Sequence, residues 1–283
     1  MSWKWRNLGR LMTPTPVATP SGGLCVAWQV RGKPVLLVGG GEVAASRIVH
    51  LKHADAHITV LAPQDALHPD VAAWIQQGVV QHYIPGLYTQ TDQLVREDGS
   101  DYAMVLTAID DAEKSREICK WCRSRRIPVN VADVPPECDF YFGSMIRRGP
   151  LQVMVSTGGQ GPRLARKLRQ CIEATIPESA GHALSRVGVL RAKLRQVSPE
   201  PALSAARMDW MSRICDAFPL EELARLDDAT MDRWVQHHWP RRSVPASKGR
   251  RCTVHLMTRD VVSCIIGGII GLAGRMKAAL ASA

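Results

Sequence analysis

Residues 34–47 read Pro-Val-Leu-Leu-Val-Gly-Gly-Gly-Glu-Val-Ala-Ala-Ser-Arg. An apolar run of strand length leads into three glycines, and a stretch suited to a helix follows at once. The glycines fit the pattern G-x-G-x-x-G/A, with Gly39 at a tight turn, Gly41 where a side chain would block phosphates, and Ala44 small enough for helix–strand packing. The N-terminus of the helix offers free N–H groups to a pyrophosphate. This stretch therefore predicts a parallel α/β fold that binds a dinucleotide.

The residues that follow complete a βαβ unit of roughly 30 residues. The apolar run 57–62 ends at Pro63 and predicts the second strand of a parallel sheet. Ligands of such sheets bind beyond the carboxyl ends of the strands, so Thr107 and Ala108, at the end of a later apolar run, are predicted to face the cofactor. The other predicted elements of this half are strands at 24–30, 79–84, 102–108 and 127–132 and helices at 42–52 and 112–125.

The cofactor prediction depends on the residues after the second strand. An acidic residue that binds the ribose is expected about 20 residues after the glycines, and Asp65, just beyond Ala62, is an imperfect match. Asp65 is either this ribose ligand or the N-cap of the helix that follows. No lysine or arginine stands nearby to hold a 2′-phosphate, so NAD is favoured over NADP. The predicted cofactor-binding residues are Gly39, Gly41, Glu42, Val43, Ala62, Asp65, Thr107 and Ala108.

The later part of the chain has a different pattern. Its predicted elements are strands at 140–145 and 151–156 joined by Arg147-Arg148-Gly149-Pro150, a glycine-rich loop at 156–162, a helix at 163–175 and helical periodicity from 178 to 240. The predicted fold is therefore α/β, with a Rossmann-type parallel sheet followed by a small α+β segment and a C-terminal helical region.

The composition favours an acidic small molecule over nucleic acid as the partner. The chain of 283 residues has a formal charge of +10, yet it contains no long Lys/Arg block and no basic stripe with interleaved aromatic residues. The eight cysteines are scattered, which favours a reducing compartment. Cys119 and Cys122 fall in a predicted helix without a second such pair, so buried thiols are favoured over a metal site.

The two ends of the chain differ from the region between them. Residues 1–20 carry three basic residues and no acid but lack a continuous apolar core, which argues against a secretory signal. Their prolines favour a disordered lead-in, with a mitochondrial address as the alternative to the predicted cytoplasmic location. The uncharged run 261–273 is shorter than the roughly 20 residues that span a bilayer, so no transmembrane span is predicted.

Two further stretches, together with the glycine turn, resemble one enzyme family. Residues 130–143 read Asn-Val-Ala-Asp-Val-Pro-Pro-Glu-Cys-Asp-Phe-Tyr-Phe-Gly, and residues 155–165 read Val-Ser-Thr-Gly-Gly-Gln-Gly-Pro-Arg-Leu-Ala. The three motifs stand in the same order as in the precorrin-2 dehydrogenases of siroheme synthesis. They most resemble the fungal bifunctional members, which are also ferrochelatases. The resemblance covers roughly residues 24–239.

The resemblance implies NAD-dependent oxidation of precorrin-2 to sirohydrochlorin, followed by insertion of ferrous iron, a substrate, to give siroheme. It also implies a homodimer formed through about residues 139–175. The alternatives are a dehydrogenase without chelatase activity and a non-catalytic NAD-sensing protein. The predicted domains are a disordered lead-in at 1–23, the NAD-binding Rossmann domain at 24–138, a dimerisation segment at 139–177, a helical domain at 178–240 and a basic linker with an apolar tail at 241–283.

The site residues follow from the same resemblance. Asp133 matches the family's catalytic aspartate, and the end of a strand suits a general base for both reactions; its alternative role is to cap a turn before Pro135. The eight carboxylates of precorrin-2 imply arginine clamps, because a guanidinium binds both oxygens of a carboxylate, with solvated surface charge as the alternative. The predicted substrate-binding residues are Arg147, Arg148, Thr157, Gly158 and Arg163, and no resident metal site is predicted.

Overall fold

The computed structural model describes residues 23–247 of the chain. These residues form two compact units, one made of 23–144 and 154–169 and the other of 145–153 and 170–247. The predicted lead-in and the apolar run 261–273 lie outside the described residues.

The first unit is built on a five-stranded parallel sheet. Its strands are β1 (Pro34–Val38), β2 (His57–Ala62), β3 (His82–Pro85), β4 (Met104–Thr107) and β5 (Val129–Val131). They lie in the order β3-β2-β1-β4-β5. The order reverses between β1 and β4, which makes the carboxyl ends of these two strands the topological switch point where such folds bind ligands.

Helices cover both faces of this sheet. They are α1 (Glu42–His53), α2 (Pro69–Gln76) and α3 (Ala112–Ser124). Successive residues of a strand point to opposite faces, so Leu37 joins a core with Ile48 of α1, whereas Leu36 joins a second core with Ile118 of α3. Both strand faces are buried, which explains why the strands are continuous apolar runs rather than alternating ones. The predicted Rossmann-type sheet is confirmed.

Two strand predictions in this unit need correction. Residues 24–30 form no strand, and the side chains of Leu24 and Val26 are exposed rather than packed. The predicted strand at 79–84 is observed at His82–Pro85. The backbone N–H groups of Val79 and Val80 donate to the Trp74 carbonyl oxygen, so these residues close α2 instead of pairing with β2.

The residues between the parallel sheet and the C-terminal helices in the chain form a two-stranded sheet and a helix. Strands β6 (Ser144–Arg148) and β7 (Leu151–Val155) pair, and helix α4 (Pro162–Thr175) follows. The first strand was predicted at 140–145 but begins at Ser144. Phe140 and Phe142 pack against the core beneath α1, which keeps their segment out of the hairpin.

The second unit contains the predicted helical region, which is confirmed. Its helices are α5 (Ala180–Val197), α6 (Ser204–Ala217), α7 (Leu220–Ala224) and α8 (Asp228–Arg233), and a π-helical turn, Trp234–His238, follows. Trp210 is fully buried, and its indole N–H donates to the carbonyl oxygen of Ser243 at 2.7 Å. Trp239 packs edge-on against Trp210 and donates to the Ser198 hydroxyl at 2.8 Å. The two indoles therefore anchor the chain that follows the last helix to the core.

Candidate functional site

The glycine turn after β1 lies against the end of β4. Gly39 has a φ of +115°, and a Cβ atom there would lie 2.2 Å from the carbonyl oxygen of Ala108. The Ala108 N–H donates to the Val38 carbonyl at 2.7 Å, which holds the two strand ends together. At Gly40 a Cβ atom would lie 2.9 Å from that of Ala62. Glycine at these two positions is therefore required by the packing of the protein itself.

Gly41 is different, because a Cβ atom there would meet nothing within 4 Å. Gly41 is the N-cap of α1, and no side chain caps the first turn. The N–H groups at Glu42 and Val43 therefore begin a helix beside open space, which is the arrangement that receives a pyrophosphate. Because the protein leaves this space empty, the residues of the turn fit a dinucleotide, and Glu42 and Val43 lie where the prediction placed them.

The predicted ribose-binding residue lies in a separate turn. Asp65 is exposed within a 3₁₀ turn at Gln64–Ala66. It does not cap α2, because the N-cap is His68, whose Nδ1 accepts the N–H of Asp70 at 3.2 Å. The N-cap alternative is therefore wrong. The Tyr83 hydroxyl donates to the Ala62 carbonyl at 2.9 Å, and burial together with the charge of Asp65 raises the pKa of Tyr83. Asp65 thus lies beside the end of β2.

Thr107 and Ala108 lie at the same edge of the sheet. Thr107 is 2% exposed, and its hydroxyl oxygen has no hydrogen-bond partner. Its carbonyl accepts the N–H of Ala132 at 3.0 Å. This bond ties the ends of β4 and β5 together, and it brings the residue after Ala132 to the edge at which the glycine turn opens.

That residue is Asp133. Its φ is +60°, in the left-handed region that costs a non-glycine residue about 1 kcal/mol or more. The residue is exposed, and its carboxylate has no hydrogen-bond partner within residues 23–247. The following turn is closed by backbone atoms, with Glu137 N–H donating to the Val134 carbonyl at 3.0 Å. Asp133 therefore does not cap that turn, and its carboxylate is available to a ligand.

One charged residue near Asp133 was missed by the sequence analysis. Arg47 lies in α1, and its guanidinium carbon is 4.4 Å from the centre of the Phe142 ring. Burial lowers the pKa of Arg47, and the neighbouring Cys138 and Asp133 oppose that shift. Its place in the second turn of the helix after the glycines is the signal that the sequence offers for it.

The glycine-rich loop before α4 is held by its own hydroxyl groups. The Thr157 hydroxyl accepts the N–H of Gly161 at 3.2 Å, and the Gly158 N–H donates to the Ser156 hydroxyl at 3.3 Å. Gly158 has a φ of +58°, which favours glycine there. Arg163 is exposed in the first turn of α4. Thr157, Gly158 and Arg163 thus belong to one loop and helix start, in the same compact unit as Asp133.

Arg147 and Arg148 lie in the other unit, on β6. The Arg148 guanidinium donates to the carbonyl oxygens of Ile176 and Glu173 at the end of α4. Two of its donors are therefore already used to stabilise a helix end. This observation counts against the predicted role of Arg148 as a substrate clamp. Arg147, the preceding residue, is half-buried.

The cysteine prediction is confirmed. Cys119 and Cys122 are buried in the core between the sheet and α3. Burial raises the pKa of both thiols, that of Cys122 to about 12, so they are neutral near pH 7. Within the described part of the chain no group of three histidine, cysteine or acidic side chains could hold a metal ion.

These features define the chain as a Rossmann-type nucleotide-binding protein with an unpaired carboxylate at the ligand edge. Three family models match it in succession: "Putative NAD(P)-binding" at 26–144, "Sirohaem biosynthesis protein central" at 148–175 and "Sirohaem biosynthesis protein C-terminal" at 177–245. The chain is 52% identical over 214 residues to the siroheme biosynthesis protein met8 of Schizosaccharomyces pombe, which covers 76% of this chain and 79% of the relative. The chain therefore belongs to the siroheme biosynthesis family, as the resemblance predicted.

A longer relative and a solved structure show how much of the chain is similar to other proteins. The siroheme synthase of Methylobacillus flagellatus is 36% identical over 173 residues, but the match spans only 35% of that longer protein. Among solved structures, "SirC, precorrin-2 dehydrogenase" matches with a TM-score of 0.55 and 20% identity, covering 76% of this chain and 98% of the other. At this identity the structural likeness supports the fold.

Proposed function

We propose that this chain oxidises precorrin-2 to sirohydrochlorin with NAD and then inserts ferrous iron to give siroheme, at one site centred on Asp133. Membership of the siroheme biosynthesis family and the NAD(P)-binding model support the reaction class. The observation that carries the site is the unpaired Asp133 carboxylate, which follows β5 at the sheet edge where Gly41 leaves space for a dinucleotide. We infer a preference for NAD over NADP, because Asp65 follows β2 and no lysine or arginine stands nearby in the sequence.

The residues around the glycine turn would hold the cofactor. The first N–H groups of α1 would bind the pyrophosphate, Asp65 would bind the adenosine ribose, and Thr107 and Ala108 would line the cofactor crevice. Oxidised NAD, when bound, accepts a hydride. Thr107 is buried and Gly39 lies close to Ala108, so this part of the sheet edge is tightly packed.

Asp133 would handle the protons in both reactions. Oxidation of precorrin-2 removes two electrons with one hydrogen as hydride and a second hydrogen as a proton, which the Asp133 carboxylate accepts. Iron insertion releases two protons from the pyrrole nitrogens as the metal takes their place. A carboxylate without a protein hydrogen-bond partner is free to take these protons in turn and pass them to water. The same carboxylate can therefore act as general base in both steps.

The substrate's carboxylates would be held by basic residues and backbone N–H groups. Precorrin-2 is an octa-carboxylate, and the chain has a formal charge of +10. Arg163, exposed at the start of α4, and the loop of Thr157 and Gly158 offer donors in the same compact unit as Asp133. Arg147, which lies in the other unit, remains a substrate-binding residue predicted only by the family resemblance. This distribution suits a polyanionic small molecule better than nucleic acid.

A homodimer through α4 is part of the proposal. Leu164, Leu168 and Ile172 recur every four residues and therefore lie on one face of the helix. Their side chains are 57%, 38% and 37% exposed in the single chain. An apolar stripe of this kind on a basic helix is best covered by a second copy of the chain. It lies in the segment that the family resemblance assigns to dimerisation.

The proposed compartment is the cytoplasm, with the mitochondrial matrix as the alternative. The six cysteines between residues 23 and 247 are all free thiols, which suits a reducing environment. No helix in this range is long and apolar enough to cross a bilayer.

The direct test is incubation of the full chain with precorrin-2, NAD and ferrous iron, followed by absorption spectra. We expect the sirohydrochlorin spectrum with precorrin-2 and NAD, and the siroheme spectrum once iron is added. Sirohydrochlorin that accumulates without iron insertion would identify a dehydrogenase only. Binding of NAD without any turnover of precorrin-2 would refute the enzyme and favour an NAD-sensing protein.

A further inference from the structure

A partly buried arginine near the proposed base has no ion-pair or hydrogen-bond partner among the described residues. Arg47 forms no ion pair and no hydrogen bond with residues 23–247, and its Nε is buried without an acceptor. Its guanidinium lies over the Phe142 ring, with the guanidinium carbon 4.4 Å from the ring centre. Phe142 is itself fixed by His50 at 5.3 Å and Phe140 at 5.7 Å between ring centres. The aromatic ring therefore holds the plane of the cation in place.

The charged neighbour of this cation is the proposed catalytic carboxylate. Cys138 and Asp133 both act electrostatically on Arg47. Burial raises the pKa of the Cys138 thiol, so this group is neutral near pH 7, whereas Asp133 is an exposed carboxyl group. Arg47 and Asp133 are thus near enough to interact, yet they do not pair.

Arg47 lies further along α1 than the groups expected to bind the pyrophosphate. Arg47 follows Gly41 by six residues, which corresponds to about 9 Å along the axis of α1. The pyrophosphate is expected at the first N–H groups of this helix, more than a turn away. Burial of the guanidinium lowers the pKa of Arg47, which means that the desolvation of the cation is not balanced by protein groups. An anion from the substrate side of the crevice would supply that balance.

We propose that Arg47 binds one carboxylate of the tetrapyrrole and thereby places the macrocycle beside Asp133. This inference rests on the proposed function. The planar guanidinium is held on one face by Phe142, and its terminal nitrogens can form two parallel hydrogen bonds with a carboxylate. The substrate's negative charge then balances Arg47, while the ring nitrogens and the reacting carbon lie within reach of the Asp133 carboxylate. Arg47 is accordingly a substrate-binding residue that also determines orientation.

The test compares sirohydrochlorin binding by the wild type, Arg47→Met and Lys52→Met. Methionine keeps an apolar side chain on Phe142 but removes the charge and the donors. Lys52 lies on the same helix, is exposed, and serves as the control for loss of one positive charge. We expect the dissociation constant of sirohydrochlorin to rise about ten- to a hundredfold in Arg47→Met and less than twofold in Lys52→Met. NAD affinity and the unfolding midpoint of Arg47→Met should stay near those of the wild type.

Two further ligands test whether the loss of affinity in Arg47→Met comes from a contact with a carboxylate of the substrate. A sirohydrochlorin analogue without its acetate carboxyls and one without its propionate carboxyls should each be measured with both proteins. For one of the two analogues the difference between the wild type and Arg47→Met should largely disappear, because the partner of Arg47 is missing.

Several outcomes would overturn the inference. Sirohydrochlorin affinity of Arg47→Met within twofold of the wild type is one, and a selective loss of NAD affinity is another. If Arg47→Met does not fold, Arg47→Gln replaces it, and failure of both to fold would assign the side chain to the stability of the protein. The proposed function fails separately, when the wild type neither binds sirohydrochlorin nor oxidises precorrin-2.

Discussion

The backbone of Gly39 lies so close to Ala108 that a Cβ atom on residue 39 would be 2.2 Å from the Ala108 carbonyl oxygen. Two residues later, at Gly41, a Cβ atom would have no neighbour within 4 Å. The first glycine is therefore demanded by the contact between two strand ends, whereas no contact within the protein demands the second, and we attribute it to the proposed dinucleotide.

Gly39→Ala should destabilise the fold by roughly 3 kcal/mol or more, because the new methyl group meets the backbone of Ala108 at a φ of +115°. Urea unfolding without NAD measures the change. Gly78→Ala is the control, since Gly78 has a φ of +72° but open surroundings, and it should lose only about 1 kcal/mol. Equal losses at both positions would show that backbone strain alone explains the effect.

Gly41→Asp should fold normally and lose NAD binding, because its carboxylate enters the space of the pyrophosphate and repels it. Isothermal titration with NAD measures the loss, and Ser46→Asp, which adds the same charge at an exposed position of α1, is the control. Iron insertion into supplied sirohydrochlorin should survive in Gly41→Asp. Loss of both activities would mean that the two reactions are not separable.

Asp133→Asn should keep NAD binding and lose precorrin-2 oxidation by at least a hundredfold, because the amide cannot accept the proton. Asparagine tolerates the left-handed backbone at φ +60°, so the unfolding free energy should change by less than about 1 kcal/mol. Single-turnover formation of sirohydrochlorin measures the rate. Turnover at the wild-type rate would exclude Asp133 as the base.

Arg148→Met should lower the unfolding free energy by roughly 1–3 kcal/mol, because the carbonyl oxygens of Ile176 and Glu173 lose a charged donor. Chemical unfolding measures it. The comparison is Arg163→Met, an exposed residue, which should leave the unfolding midpoint unchanged and weaken sirohydrochlorin binding. If Arg148→Met instead weakens sirohydrochlorin binding and leaves the unfolding midpoint unchanged, Arg148 is a substrate-binding residue as first predicted.

Leu168→Glu should convert the proposed dimer into a monomer, because it places a charge in the middle of the apolar stripe on α4. Sedimentation velocity at micromolar concentration measures the mass. Leu87→Glu, at a residue that is 64% exposed in the first unit, is the control and should leave the mass unchanged. A wild type that sediments as a monomer would refute the dimer directly.

The sequence predicted the sheet well because its strands are buried on both faces. The bounds of β2 were predicted without error, since the apolar run at 57–62 is closed by Pro63. The run at 24–30 looks similar, yet no strand offers it a partner, and propensity alone did not reveal that. His68 was not foreseen as the cap of α2, because a histidine nitrogen rarely takes that role.

The site was only partly predictable. Gly39 and Gly41 carry a motif, and Asp133 stands in a recognisable stretch. Arg47 carries no motif, and its proposed role depends on the fold, which brings Phe142 and Asp133 near its guanidinium. Arg148 was predicted as a clamp because the carboxylates of the substrate implied by the resemblance call for arginines. Only the packing of β6 near the end of α4 shows where its donors go.

The open surroundings of Gly41 have a consequence for how variants of this gene would be scored. A screen that counts folded protein in cells would reject nearly every substitution at position 39 and accept many at position 41. A selection that requires siroheme would reject both. Positions that tolerate substitution in the screen but not in the selection would outline the nucleotide crevice without any bound nucleotide. Position 41 should show the largest difference between the two.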